Sequence, residues 1–356
     1  MKKLFVVFLF VVFLIPSGVF ALSDTSRSSI VMDIDSGRIL YQKNANERRL
    51  IASITKIMTA TIALENGNLD EVYEAGDEVL KMYGTNIYLE HGEEMKLRDL
   101  LYGLILRSGN DAAVVIANNI CKSEKEFVKL MNRKAQELGM NKTEFNNSHG
   151  LDEETKNYST AYDMALVSSY IYKTSKEYRK ITNTYKYQVS SNNKSYLWYN
   201  RNKFLKQYKY ATGGKNGYTP SAGKTLVTTA TKDGLRLTAV TLKDSDQYTT
   251  HQELYEYIFS KYKSYTIIDK DKFNIDDEFY KDELYLKKSF KYPLSEEEIS
   301  KVKTIVKLNK LKKYDNGDQV GVVNITLADK EIGQVPVYIK KAKEKRKGFF
   351  SSIFSK

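Results

Sequence analysis

Across its 356 residues the chain has one cysteine, Cys121, and three histidines, His91, His149 and His251. A single cysteine excludes an intramolecular disulfide and any cysteine-built metal site. Three histidines far apart in sequence argue against a zinc centre and leave a Ser-His-Asp triad few candidates. Neither a metal nor a cofactor is expected, and a serine enzyme built from this composition has to find its base among the lysines. The apolar run at residues 4–15 falls short of the roughly 20 residues that cross a bilayer comfortably. It follows Met1-Lys-Lys3 and precedes Pro16, Gly18 and the small-residue pattern Val19-Phe-Ala21, which reads as a secretory signal peptide over residues 1–21. The alternative is an uncleaved membrane anchor. Cleavage removes two lysines and no acid, so the formal net charge falls from +12 to +10.

Export and the even spread of lysines exclude nucleic acid as an expected partner. One cluster stands apart. Lys340, Lys341, Lys343, Lys345, Arg346 and Lys347 precede Phe349, Phe350, Ile353 and Phe354. Residues 340–356 therefore read as a basic amphipathic tail that rests on the outer face of the cytoplasmic membrane, each basic residue contributing about 1 kcal/mol near an anionic surface. An unstructured end is the competing reading.

The length left after the signal suits two domains. Residues 29–41 read as a β-hairpin turning at Asp35-Ser-Gly37. A helical region follows, with a helix at residues 54–64 closed by Gly67, a segment at 97–120 interrupted at Ser108-Gly-Asn110, and a helix at 125–138 capped by Gly139. A second hairpin spans residues 226–242 around Asp233-Gly234, and a tyrosine-rich helix covers 247–262. The expected fold is an α/β domain over residues 22–263, in which the first hairpin joins the late one in a largely antiparallel sheet flanked by the helical region. A small all-β domain over 264–339 follows, without repeats and without evident catalytic residues.

Three motifs carry the chemistry: Ser53-Ile-Thr-Lys56, Ser108-Gly-Asn110 and Lys215-Asn-Gly217. Ser-x-x-Lys also occurs at Ser191, Ser221, Ser260 and Ser300, but only Ser53 stands at the mouth of a buried-type helix. A serine hydroxyl needs a base within about 2.6–3.2 Å. Residues i and i+3 share a helix face, so Lys56 can fold back to Ser53 while the helix N-terminus aims N–H groups at developing negative charge. Lys56 then has to be neutral, through burial and a second cation, and Lys215 is the candidate for that cation, charged and facing a substrate carboxylate. Ser108 is placed to relay a proton to the leaving amine, and Asn110 to hold a substrate amide or Lys56 itself. Lys215-Asn-Gly217 is expected to precede a strand, with Gly217 allowing close approach of substrate backbone.

Ser-x-x-Lys, Ser-x-Asn and Lys-x-Gly in this order resemble the signature of penicillin-binding proteins and class A β-lactamases. Longer stretches narrow the resemblance to the secreted serine D-alanyl-D-alanine carboxypeptidases: Ile51-Ala-Ser-Ile-Thr-Lys-Ile-Met-Thr59, Leu106-Arg-Ser-Gly-Asn-Asp-Ala-Ala113, His149-Gly-Leu-Asp152, Ser159-Thr-Ala-x-Asp-Met164, Asn200-Arg-Asn202 and Gly213-Gly-Lys-Asn-Gly-Tyr-Thr219. The resemblance implies a β-lactamase/transpeptidase-like fold and removal of the terminal D-alanine from peptidoglycan stem pentapeptides through an acyl-enzyme on Ser53, with β-lactams acylating the same serine. It implies Lys56 as base, Ser108 and Asn110 completing the cleft, and a substrate-binding strand of Lys215, Asn216, Gly217, Tyr218 and Thr219. Backbone N–H groups of Ser53 and Tyr218 would form the oxyanion hole. His149 and Asp163 read as structural supports. Asn216 stands where the family usually has threonine, which would weaken one hydrogen bond to the substrate carboxylate. Two rival readings follow. One is a wall-bound peptide- or penicillin-binding module impaired at Asn216. The other is a β-lactamase, which would need a deacylating carboxylate of the Glu-x-x-x-Asn kind, expected to be lacking between Gly139 and Lys215.

Overall fold

The computed structural model describes residues 22–275 and 277–341. The expected signal peptide and residues 342–356 of the basic tail lie outside the described residues. Five strands form the main sheet: β1 (Ser28–Asp33), β2 (Ile39–Lys43), β3 (Ala211–Thr219), β4 (Gly223–Lys232) and β5 (Leu235–Leu242), in the order β2-β1-β5-β4-β3 and antiparallel throughout. The first hairpin meets the late one as expected, with Ser28 opposite Leu242 and Asp33 opposite Leu237.

Period-two alternation decides which layer each strand residue joins. Ile30, Met32, Val240 and Leu242 face the helical region and share one core with Ile54, Ile57 and Met58. Val31, Leu237 and Ala239 face the other way, onto Leu254, Tyr255 and Ile258 of the tyrosine-rich helix Gln247–Lys261. Both faces of the sheet are therefore covered, which explains why all six residues of β1 are buried.

The helical region contains α1 (Lys56–Asn66), preceded by a 3₁₀ turn over Ala52–Thr55, and α2 (Asn110–Cys121). Ahead of α2, the helix Leu97–Tyr102 widens into a π turn over Gly103–Arg107 before Ser108. A Cβ on Gly103 would stand 2.8 Å from Ile87 Cδ1 and 3.3 Å from Trp198 Cη2, so the bulge is packed from outside as well. Such bulges re-phase a helix, and here the break delivers Ser108 at φ 66°.

Beyond the tyrosine-rich helix, Lys263–Ile268 pairs with Phe290–Leu294, and a four-stranded antiparallel sheet runs in the order Glu283–Leu286, Lys330–Lys340, Gln319–Leu327, Val302–Leu308. Its core is Tyr280 with Leu284, Leu286, Val320, Val323, Ile325, Val335, Val337 and Ile339. Arg38 clasps this part to the main sheet: its guanidinium binds Glu298 and, at 2.5 Å, the Pro293 carbonyl, and lies 5.3 and 5.2 Å from the ring centres of Tyr262 and Tyr292. Among the described residues no helix is long and apolar enough to cross a membrane.

Candidate active site

The serine sits on a tight turn. Ala52 holds φ 48°, a left-handed conformation that a residue with a Cβ adopts at a cost, and it opens the 3₁₀ turn carrying Ser53. The sequence places Ser53 at the mouth of an α-helix, whereas the α-helix begins only at Lys56. The tighter turn serves the geometry better, because side chains three apart eclipse one another in a 3₁₀ helix. Lys56 Nζ lies 3.2 Å from Ser53 Oγ.

Lys56 is fully buried, and its amine also donates to Asn110 Oδ1 at 2.7 Å and to the His149 carbonyl at 2.6 Å. Burial drives its pKa well below the ordinary lysine value, and the nearby Lys215 and Arg201 add repulsion that Asp111 partly offsets. A neutral amine with its two N–H groups directed at Asn110 and His149 would turn its lone pair toward Ser53. The four other Ser-x-x-Lys lysines sit in different surroundings. Lys194 pairs with Glu90 at 2.6 Å, Lys263 with Glu296 at 3.4 Å, Lys303 with Asp329 at 2.9 Å, and the exposed Lys224 donates to the Ser245 carbonyl.

Asn110 of the second motif reaches the same place. Asn110, at the start of α2, accepts from Lys56 and donates to the Tyr83 carbonyl at 2.8 Å. Of the two tasks open to Asn110 from the sequence, holding Lys56 is the one its hydrogen bonds perform. Ser108 is 6% exposed on the left-handed residue between the π turn and α2. Asp111 anchors the segment ahead of the motif by accepting from the backbone N–H groups of Ile87 and Leu89, each at 3.0 Å.

The third motif differs from expectation in one respect: Lys215-Asn-Gly217 lies inside β3, the edge strand of the sheet, rather than before a strand. Alternation then sorts its residues. Lys215, Gly217 and Thr219 are buried, Asn216 is half-buried, and Tyr218 is 65% exposed. A Cβ on Gly217 would stand 2.8 Å from Ser53 N, 3.1 Å from Ile54 N and 2.6 Å from Thr225 Oγ1. Glycine is thus required for the protein's own serine turn to pack on the strand. Lys215 is fully buried with its Nζ on the Asn216 carbonyl at 2.6 Å, and burial together with Arg201 lowers its pKa to about 7. Near neutral pH the unliganded amine is therefore poised between forms, and an arriving carboxylate favours the charged one. The Thr219 hydroxyl is engaged within the fold, donating to Asp152 at 2.6 Å and accepting from Ala222 N.

Several contributors were not singled out from sequence. Arg201 appeared there only as part of a longer stretch, yet its charge acts on both buried lysines, and it donates to Thr85 Oγ1. The loop at residues 147–157 presses on the serine turn, since a Cβ on Gly150 would stand 2.1 Å from the Ala52 carbonyl oxygen. His149 acts through its backbone carbonyl. Its ring, held far below its ordinary pKa at about 3 by burial and then by Lys56, accepts from Leu151 N. Asp163 holds Lys142 N and Thr143 Oγ1, a supporting contact as expected. The loop does contain one Glu-x-x-x-Asn spacing, Glu153 to Asn157, contrary to the expectation that none exists. Glu153 is exposed and bonds the Tyr83 side chain, while Asn157 is buried on Thr55 and Asn147. Among the described residues no cluster of His, Cys, Asp and Glu could hold a metal.

A family model described as D-alanyl-D-alanine carboxypeptidase matches residues 18–246. The chain belongs to this family. A second model, the C-terminal domain of penicillin-binding protein 5, matches residues 262–345. The D-alanyl-D-alanine carboxypeptidase DacF of Bacillus subtilis is 37% identical over 257 residues, which cover 69% of this chain and 65% of the relative. DacC of Escherichia coli is 32% identical over 264 residues, 69% of this chain and 64% of that protein. The chain thus spans a little under two thirds of the length of these curated relatives. Penicillin binding protein 5 from Haemophilus influenzae superposes with a TM-score of 0.74 at 26% identity, covering 90% of this chain and 97% of that one. DacD from Francisella tularensis gives 0.67 at 25% identity, with coverage of 89% and 93%. The expected β-lactamase/transpeptidase-like fold with an all-β C-terminal part is therefore the fold of this chain.

Proposed function

We propose that this chain is a serine D-alanyl-D-alanine carboxypeptidase that removes the terminal D-alanine from peptidoglycan stem pentapeptides and is acylated by β-lactams. The observation that carries the reading is a fully buried lysine amine 3.2 Å from a serine hydroxyl and bonded to two further acceptors. Neutral Lys56 takes the proton of Ser53 as Oγ attacks the penultimate carbonyl. The oxyanion lies toward the N–H groups of Ser53 and Tyr218. Collapse breaks the C–N bond, the departing amine takes a proton through Ser108, and D-alanine leaves. Water then attacks the ester as Lys56 accepts its proton, the acyl C–Oγ bond breaks while Lys56 returns that proton to Ser53 Oγ, and the shortened peptide is released. Lys215, Asn216, Gly217 and Thr219 line or support the strand that receives the substrate, and Lys215 in its charged form meets the carboxylate.

The division of labour proposed for the chain assigns catalysis to residues 22–263, a supporting role to 264–339, and membrane contact to the tail at 340–356. The proposed setting is the outer face of the cytoplasmic membrane after export. Incubation with a diacyl-Lys-D-Ala-D-Ala peptide tests the activity. Stoichiometric release of D-alanine is expected, and penicillin labelling of Ser53 without release would move the chain to a binding module.

A further inference from the structure

The His149 carbonyl is one of the acceptors that orient Lys56, and the peptide group it belongs to is gripped at its other end. The N–H of that same peptide, on Gly150, donates to Asn147 Oδ1 at 2.6 Å. Asn147 is 2% exposed and its amide is fully engaged: Nδ2 donates to the Leu151 carbonyl at 2.9 Å and to Thr155 Oγ1 at 2.8 Å, while Oδ1 also accepts from Asn157 Nδ2 at 3.0 Å. Asn157 in turn donates to Thr55 Oγ1, on the serine turn itself, and accepts from Asn146 N and Asn147 N. Gly150 adopts φ 90°, a conformation that favours glycine, and a Cβ there would stand 2.1 Å from the Ala52 carbonyl oxygen.

We infer that Asn147 is a positioning residue for the base: by fixing the His149–Gly150 peptide plane it holds the carbonyl that, with Asn110, directs the Lys56 lone pair at Ser53. The reasoning is geometric. A neutral amine has two N–H bonds and one lone pair, and placing both hydrogens determines the third direction. Were the peptide to rotate, one hydrogen would lose its acceptor and the lone pair would cease to be aimed, without any change in the residues that touch substrate. Asn147 touches neither Ser53 nor Lys56. The inference rests on the proposed serine–lysine chemistry.

The test measures acylation of the full chain by a fluorescent penicillin, separating the acylation rate constant from the affinity of the preceding complex. Wild type must label at Ser53; failure here overturns the functional reading and not the positioning role alone. Given labelling, Asn147→Ala is expected to lower the acylation rate constant about 10–100-fold while leaving the affinity within about twofold, the scale on which small misplacements act. Thr155→Val, which removes another bond of the same loop but leaves Gly150 N on Asn147, is expected to stay within about twofold in both. Exchange of the Gly150 amide proton gives a readout independent of catalysis: protected in wild type and Thr155→Val, fast in Asn147→Ala. Asn147→Ser serves where the alanine variant fails to fold, with the same direction of change. Equal losses in Asn147→Ala and Thr155→Val, or a protected Gly150 amide in a slow Asn147 variant, would overturn the inference.

Discussion

The two parts of the chain bury different things. From Ser26 to His251 the interior holds charged and polar side chains throughout, among them Lys56, Lys215, Asp111, Asp163 and His251, while among the described residues beyond Lys263 no polar or charged residue is buried and the core is aliphatic apart from Tyr280, with Phe273, Phe290 and Tyr314 partly buried at its edge. Burying an ionisable group costs free energy unless its hydrogen bonds are met, so such groups accumulate where chemistry needs perturbed protonation. The C-terminal part has the economy of a support: apolar layers, exposed charges and a clasp at Arg38. The contrast locates the reactive region before any family is considered.

The sharpest way to break the comparison is at the serine. Ser53→Ala is expected to abolish penicillin labelling and to reduce D-alanine release by about 10⁴-fold or more, as removal of a nucleophile does in other serine enzymes, checked by mass spectrometry of the adduct and a D-alanine assay. Lys56→Met comes next, with a loss of about 10²–10⁴-fold in acylation rate, the range of general-base contributions. Stopped-flow acylation that leaves the rate within a few fold would remove Lys56 from its role.

Protonation sharpens the contrast further. Lys215 has a folded pKa of about 7 against an ordinary 10.5, and Lys56 is displaced in the same direction. Between pH 7 and 10.5 the unfolded chain binds the extra protons, so these groups make stability rise with pH across that window. Lys215→Met should flatten the rise in urea titrations at pH 7 and 9, and a C-terminal core variant should leave it intact. For activity the sign is opposite. Above about pH 7 the free enzyme loses the Lys215 charge, so KM for a peptide with a free carboxylate is expected to increase.

Asn216→Thr is a smaller step. A hydrogen bond to a charged group is worth roughly 1.5–3 kcal/mol, and recovering part of it should raise kcat/KM about 10-fold; an unchanged value would show that asparagine already serves. The least effect on catalysis belongs to the other region. Ile325→Ala is expected to destabilise the C-terminal part by about 2–5 kcal/mol in denaturant unfolding, yet to leave peptide turnover within twofold.

Much of this was legible in residue order. Strand patterns at residues 29–41 and 226–242 announced two hairpins, and the glycines at 37, 67, 139 and 234 marked turns and helix ends, whereas burial of the sheet on both faces emerged only in the fold. Spacing of three between Ser53 and Lys56 was enough to place an amine near a hydroxyl. Backbone detail was not legible: the 3₁₀ turn at Ala52, the π turn ahead of Ser108 and the strand position of Lys215 depend on what packs against them, and short-range propensity does not encode that. Glu153 and Asn157 show the converse, a spacing present in sequence whose members the fold sends to different environments.

By itself the sequence determined the reagents of the site, because a chain with one cysteine and three histidines leaves lysine to activate serine, and it determined the order of strands and helices through their periodicities. Only the tertiary structure decided the state of those reagents. The base role proposed for Lys56 depends on residues 54 to 159 positions distant in sequence, from Asn110 to Lys215, which enclose it in a low-dielectric interior, place Lys215 and Arg201 nearby, and bring a carbonyl from His149 to its amine. Proton affinity is set by surroundings, and surroundings exist only once the chain is folded.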